Sequence, residues 1–224
     1  MTDAPFLVEG LADPEDAGGV PLTLAVRAEE WVVVRTSPTR ARRLQFALLD
    51  LERAGTTAAP TAARVLGEPI PFPSRRVGDG VRARLGTLLN PDGLISAWTL
   101  WENLALPLLA RRQATTTSRV RVERALERFG IGAWRFARPP GVPNDVRQRA
   151  ALARATITDP EALLLDDPLA SVASRHADAL YSELRVRVPT ALILVHRRAE
   201  SLYARADRVG TWDARGWRQM GSDR

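Results

Sequence analysis

The sequence predicts an α/β fold: a parallel sheet covered by helices, with an α-helical lobe inserted into it. Three observations carry that prediction. Short apolar runs alternate with helical periods towards both ends of the chain. Ala162 to Leu165 and Thr190 to Val195 are apolar at nearly every position, as strands buried on both faces are. The middle of the chain reads as one helix after another.

Each element follows from its own signals. PFLVEG, PLTLAVR and EWVVVR are apolar runs bounded by Pro, Gly and acidic residues, and they predict strands. From Arg40 to Glu52 the spacing of Leu44, Leu48 and Leu51 predicts a helix, with Gly55 as its C-terminal cap. Strands follow at Ala63 to Leu66, before a turn at Gly67, and at Arg84 to Leu89. Residues 99–112, 117–129 and 145–157 are helical by period, with Gly130 and Gly132 closing the second and Pro139, Pro140 and Pro143 blocking its continuation. Ala162 to Leu165 then ends in Asp166-Asp167-Pro168, a helix runs to about Arg187, and Thr190 to Val195 ends in His196. In parallel sheets the working residues sit at the carboxyl ends of strands, which marks Asp166, Asp167 and His196.

Composition narrows the chemistry. With 224 residues, 45% apolar and 26% charged, the chain has the balance of a globular protein and none of the collagen-like or disordered classes. It has no Cys, so disulfide frameworks and zinc–thiolate sites are excluded. All 32 basic residues are arginine, which closes Schiff-base chemistry and every lysine-dependent phosphate grip. No segment reaches the ~18 apolar residues that cross a bilayer, and MTDAPFLVEG lacks the basic and apolar regions of a secretory signal, so a cytoplasmic protein without direct membrane insertion is expected. The net charge of +6 invites a nucleic-acid reading. Against it, the arginines are scattered among 26 acidic residues, in short groups at Arg40 to Arg43, Arg75/Arg76, Arg111/Arg112 and Arg197/Arg198, without interleaved aromatic stacking platforms.

Four anchors in order and spacing carry a resemblance over nearly the whole chain. They are the strand–loop–helix at 30–53, LGTLLNPDGL with WENLALPL, VPNDVRQRAALARA, and LLLDDP followed by LILVH. Together they resemble the ATP-binding cassette of ABC transporters, nearest the lipoprotein-release and macrolide-export types. The resemblance implies a P-loop NTPase (RecA-like) core with an antiparallel β subdomain and an inserted α-helical subdomain. It implies core segments at 1–89 and 158–224, a helical subdomain at 90–157, ATP and magnesium as ligands, and a transmembrane permease and a second cassette as partners. It also implies a place at the cytoplasmic face of the membrane.

The motifs that would handle ATP are altered. The family's phosphate loop, G-x-x-x-x-G-K-[ST], aligns so that Arg35 and Arg40 replace its glycines, Ala41 its lysine and Arg42 its hydroxyl residue, with Arg43 following. Glycines there turn backbone N–H groups towards phosphate, and Pro38 removes one such donor. A charge-assisted hydrogen bond is worth roughly 1.5–3 kcal/mol, so these losses weaken phosphate binding severely. Asn90 stands at the Q-loop glutamine. Pro143, Asn144 and Asp145 stand in the LSGGQ signature, where the proline has no N–H and the acid repels phosphate. Asp166 matches the magnesium-binding aspartate. Asp167 replaces the catalytic glutamate and is one methylene shorter, which costs about a hundredfold in a positioned base. Ala173 replaces the D-loop aspartate, and His196 matches the switch histidine. Trp98, Trp101, Glu102 and Asn103 match the start of the lobe that docks on a permease.

Such cassettes work as head-to-tail dimers, with each nucleotide held between one subunit's phosphate loop and the other's signature. Paired with an intact cassette, this chain would put one defective half into both composite sites. The expectation is a degenerate, hydrolysis-deficient cassette subunit with a structural or regulatory role beside a permease. Two alternatives stand beside it. One is a weak ATPase in which the arginines near Arg40 replace the lysine; the other is a stand-alone nucleic-acid-binding protein.

Overall fold

The structure is a computed structural model and describes residues 4–16, 18–51, 60–89, 93–112, 115–172, 174–196 and 200–220. The chain divides into two compact units, one of Met1–Arg84 with Pro189–Arg224 and the other of Leu85–Val188.

In the first unit, β1 (Phe6–Leu11) pairs antiparallel with β2 (Leu22–Val26) and with β4 (Ala62–Val65), and β5 (Glu68–Pro69) completes this sheet in the order β2-β1-β4-β5. Phe6, Val8 and Leu11 are buried, while Leu7, Glu9 and Gly10 between them are half-buried. A second set is built on β3 (Trp31–Arg35), whose residues Trp31 to Val34 are fully buried. It pairs in parallel with β8 (Ala191–Val195) and with β9 (Arg208–Asp213), and β10 (Gly216–Gln219) adds an antiparallel edge to β9.

Two residues, Thr36 and Ser37, connect β3 to α1 (Pro38–Leu49). Pro38 opens α1, where its missing N–H costs nothing, and Leu44, Ala47, Leu48 and Leu49 form the buried face. A fully buried leucine contributes roughly 2 kcal/mol, so this face anchors the helix. The helix ends at Leu49 and not near Gly55, because Asp50 adopts the left-handed conformation (φ 53°) and returns its N–H to Ala47. Gly55 lies outside the described residues. The short helices α2 (Arg75–Arg84) and α7 (Glu200–Tyr203) complete this unit.

The second unit begins with β6 (Leu85–Leu88), parallel to β7 (Ala162–Asp166). Between them lie α3 (Leu100–Ala110), α4 (Thr115–Arg128), two single 3₁₀ turns at Gly132–Trp134 and Pro139–Gly141, and α5 (Asn144–Thr156); α6 (Ser174–Arg187) follows β7. A reciprocal capping box between Thr99 and Glu102 starts α3. The backbone bond from Thr99 to the Glu102 carboxylate is the main reason that group sits below its ordinary pKa, followed by the Thr99 hydroxyl. Trp101 donates its indole N–H to Glu123 at 2.9 Å, tying α3 to α4. α5 lies so close to β6 that a Cβ on Gly86 would stand 2.2 Å from the Ala155 carbonyl oxygen. Among the described residues, no helix is long and apolar enough to cross a membrane.

Candidate functional site

The residues singled out by sequence fall in both units. In the first, they gather at the start of α1. The Ser37 hydroxyl accepts from the Arg40 backbone N–H at 3.2 Å, and donates to Glu15 at 2.6 Å. Ala41 N–H closes onto the Ser37 carbonyl at 2.9 Å. The Arg40 and Ala41 donors in the first turn of α1 are thus satisfied within the chain.

The Arg40 side chain completes an ionic cluster. Its Nε lies 2.8 and 2.9 Å from the two oxygens of Asp13, one Nη reaches Asp13 at 2.7 Å, and the other reaches Glu15 at 2.7 Å. Such bidentate geometry is the strongest form of guanidinium–carboxylate pairing. The Asp13 side chain is wholly buried. Burial pushes its carboxyl up, but the bonds from Arg40 and from the Glu15 and Asp16 backbone, with Arg40's charge, outweigh this and hold it below the usual carboxylate range. The Asp13 bond raises Arg40 in turn, against the opposing effect of its burial. Two carboxylates from the segment between β1 and β2 therefore stand at a helix N-terminus, the part of a helix that attracts anions.

The neighbours are committed as well. Ala41 is fully buried beneath the helix. Arg42 is exposed and lays its guanidinium over the Phe46 ring, 5.0 Å from the centroid. Burial lowers the pKa of Arg43. Arg35 closes β3 in register with Val195 and Thr211. His196, just past β8, brings Nδ1 to 3.3 Å from the Thr36 carbonyl; a carbonyl only accepts, so Nδ1 carries the proton there. Thr36 is held further by its N–H to the Val195 carbonyl and by its hydroxyl to the Trp212 carbonyl. His196 and the β3–α1 connection thus come together.

In the second unit, Pro143 stands just before α5 and gives it no side-chain cap, so Asn144 and Asp145 form its first turn. Asn144 accepts from Arg147 at 2.7 Å. Asp145 pairs with Arg149 at 2.7 Å, and His176 Nδ1 lies 3.7 Å from the same carboxylate. Arg149 also donates to the Phe129 and Gly130 carbonyls, both at 2.9 Å, which fastens the end of α4 to α5. Here too a carboxylate of the chain sits in the first turn of a helix.

At the end of β7, Asp166 is buried and Asp167 is half-buried with a left-handed backbone (φ 44°). That turn takes Asp167 out of strand geometry, so the two carboxylates do not simply alternate across a sheet. The Asp167 carbonyl accepts from Gln148 of α5 at 2.9 Å. Asn90, Ala173, Arg197 and Arg198 lie outside the described residues. Sequence reasoning missed Asp13 and Glu15 because nothing local links them to a helix more than 20 residues on.

A strand–connection–helix built this way, together with an antiparallel sheet and a helical unit, defines a nucleotide-binding cassette architecture, and comparison with known proteins agrees. The lipoprotein-releasing system ATP-binding protein LolD of Bordetella pertussis is 32% identical over 207 residues, covering 89% of this chain and 86% of LolD. The phosphonates import ATP-binding protein PhnC of Anaeromyxobacter dehalogenans is 34% identical over 200 residues, 84% of this chain but 39% of PhnC. Among solved structures, the dimeric ABC transporter cassette MJ0796 superimposes with a TM-score of 0.81 at 16% identity, covering 96% of this chain and 97% of that one. The cassette cbiO1 of Clostridium perfringens gives 0.77 at 17% identity, covering 96% and 87%. No protein-family model matches the chain. The chain belongs to the ATP-binding subunits of ABC transporters, and it has the ABC cassette fold.

Proposed function

We propose that this chain is a degenerate cassette subunit, a pseudo-ATPase that keeps the fold and the permease-docking lobe of its family and has given up hydrolysis. The observation that carries this reading is the ionic cluster at the start of α1, where Asp13, Glu15, Ser37 and Arg40 bond to one another. A triphosphate needs free backbone donors and a net positive field at that point. Here the Arg40 and Ala41 donors are capped, the Arg40 cation is paired with two carboxylates, and a polyanion would have to displace both. The residues of this connection do not fit a nucleotide's phosphate chain.

The second helix start gives the same support. Asp145 in the first turn of α5 would repel the γ-phosphate that the signature of an intact cassette receives from its partner. Asp166 keeps the carboxylate that the family uses for magnesium, with Asp167 and His196 as remnants of the catalytic pair. In this reading residues 90–157 form the lobe that faces a transmembrane permease at the cytoplasmic face of the membrane. Residues 1–89 and 158–224 form the core that pairs with a second cassette. ATP binds, where it binds at all, on the partner's phosphate loop.

Calorimetric titration of the purified chain with magnesium-ATP tests this directly. The expected result is no saturable binding at millimolar nucleotide. Tight binding that disappears on Asp166→Asn would overturn the pseudo-ATPase reading in favour of a weak ATPase.

A further inference from the structure

The second unit holds a group of guanidinium side chains that the cassette reading leaves unused. α4 places Arg121, Arg124 and Arg128 at i, i+3 and i+7, along one face of the helix, and α6 ends in Arg187. These four arginines and Asp159 line one surface cavity of ≈ 190 Å³, over a floor that includes Phe129 and Ile157, which are 2% and 4% exposed.

The charges in this cavity do not balance. Among the described residues Asp159, in a left-handed turn just after α5, is the one carboxylate in the lining, and both Arg121 and Arg187 hold it. Arg128 pairs with Glu183 at 3.0 Å. Arg124 is exposed and makes no ion pair among the described residues. The Nε of Arg187 is buried and donates to nothing described. A fifth arginine, Arg111, donates to the Thr158 carbonyl at 2.9 Å; its pKa is pushed down first by burial and then by the charge of Arg121. Guanidinium groups cannot relieve such crowding by losing protons, so what relieves it is an anion. An apolar floor lowers the local dielectric and strengthens any charge pairing above it.

We propose that this cavity binds a compact polyanion bearing phosphate groups, of the size and charge of a diphosphate, either free in solution or on a lipid headgroup. Planar guanidinium forks match phosphoryl oxygens in pairs. Asp159 holds Arg121 and Arg187 in place and leaves most of the five N–H groups of each guanidinium for the ligand. The site shares no residue with the start of α1, and it stands or falls independently of whether the chain binds ATP.

The test uses the full chain and two probes. Inorganic pyrophosphate is titrated calorimetrically at low ionic strength, and phosphatidylcholine vesicles with and without phosphatidate are tested by co-sedimentation. Saturable binding to at least one probe is expected. The double substitution Arg124→Gln/Arg128→Gln weakens it at least tenfold, and the exposed Arg76→Gln on α2 leaves it unchanged. Both cavity positions are exposed, and unchanged thermal unfolding of the double variant verifies the fold. Loss with pyrophosphate assigns a soluble ligand, and loss confined to phosphatidate vesicles assigns a lipid headgroup. Binding to neither probe, or binding that survives the double substitution, overturns the proposal.

Discussion

Asp13 is the residue on which the start of α1 depends. Its buried carboxylate is paid for by Arg40, and breaking one partner of such a pair costs about 3 kcal/mol because the other charge stays behind. Asp13→Asn should therefore lower the unfolding free energy in denaturant titrations at neutral pH by about that amount. The pH dependence has a definite sign. A carboxyl held below its ordinary value contributes stability that is complete above about pH 4 and is lost as pH falls through the folded-state value. The native chain should lose stability in that acid window, and the Asp13→Asn variant should lose less, as followed by circular dichroism. A variant as acid-sensitive as the native chain would mean that Arg40 does not hold Asp13.

Among the elements, Gly86 on β6 marks a close approach of helix to strand. Any side chain there meets backbone, the Ala155 carbonyl of α5, which cannot swing away as a flexible side chain would. Gly86→Ala should cost about 3 kcal/mol, read as a drop in thermal midpoint and in denaturant midpoint at unchanged slope. Most elements were legible in the sequence, because the helices and strands on either side of residue 100 carry clean periods. Among those that were not legible is α2, where Gly78 and Gly80 interrupt the pattern and Val81 is its one buried large apolar residue. It is fixed by tertiary contact: a Cβ on Gly78 would stand 2.8 Å from the Phe72 ring, and Arg82 reaches back to the Leu49 carbonyl. Neither contact leaves a local trace. The expected helix end at Gly55 failed for a related reason, since Asp50 can take the left-handed cap that glycine usually takes.

At the scale of the whole molecule, charge is the property to test. A net charge of +6 suggests affinity for nucleic acid, yet outside the cavity on the second unit Arg40, Arg82, Arg149, Arg208 and Arg218 all bond to carboxylates of the chain. Cations committed in this way release few counterions on meeting a duplex. In electrophoretic mobility shifts, duplex DNA should be released well below physiological salt, with a shallow salt dependence. A steep slope with retention at ~0.15 M salt would favour the nucleic-acid alternative. The candidate site was half legible at this scale. Motif order located both altered helix starts, because what is missing from a motif is visible in one sequence. What fills the gap at α1 was not, because Asp13 and Glu15 reach that helix start through folding and not through spacing.

Ala41 has a consequence for how this lineage can change. A lysine at that position would enter a fully buried place beneath α1, beside a serine cap and an acid pair that already satisfy one another. On the proposed pseudo-ATPase reading, a lysine at Ala41 alone therefore restores no phosphate grip, since the loop, the cap and both acids would have to change with it.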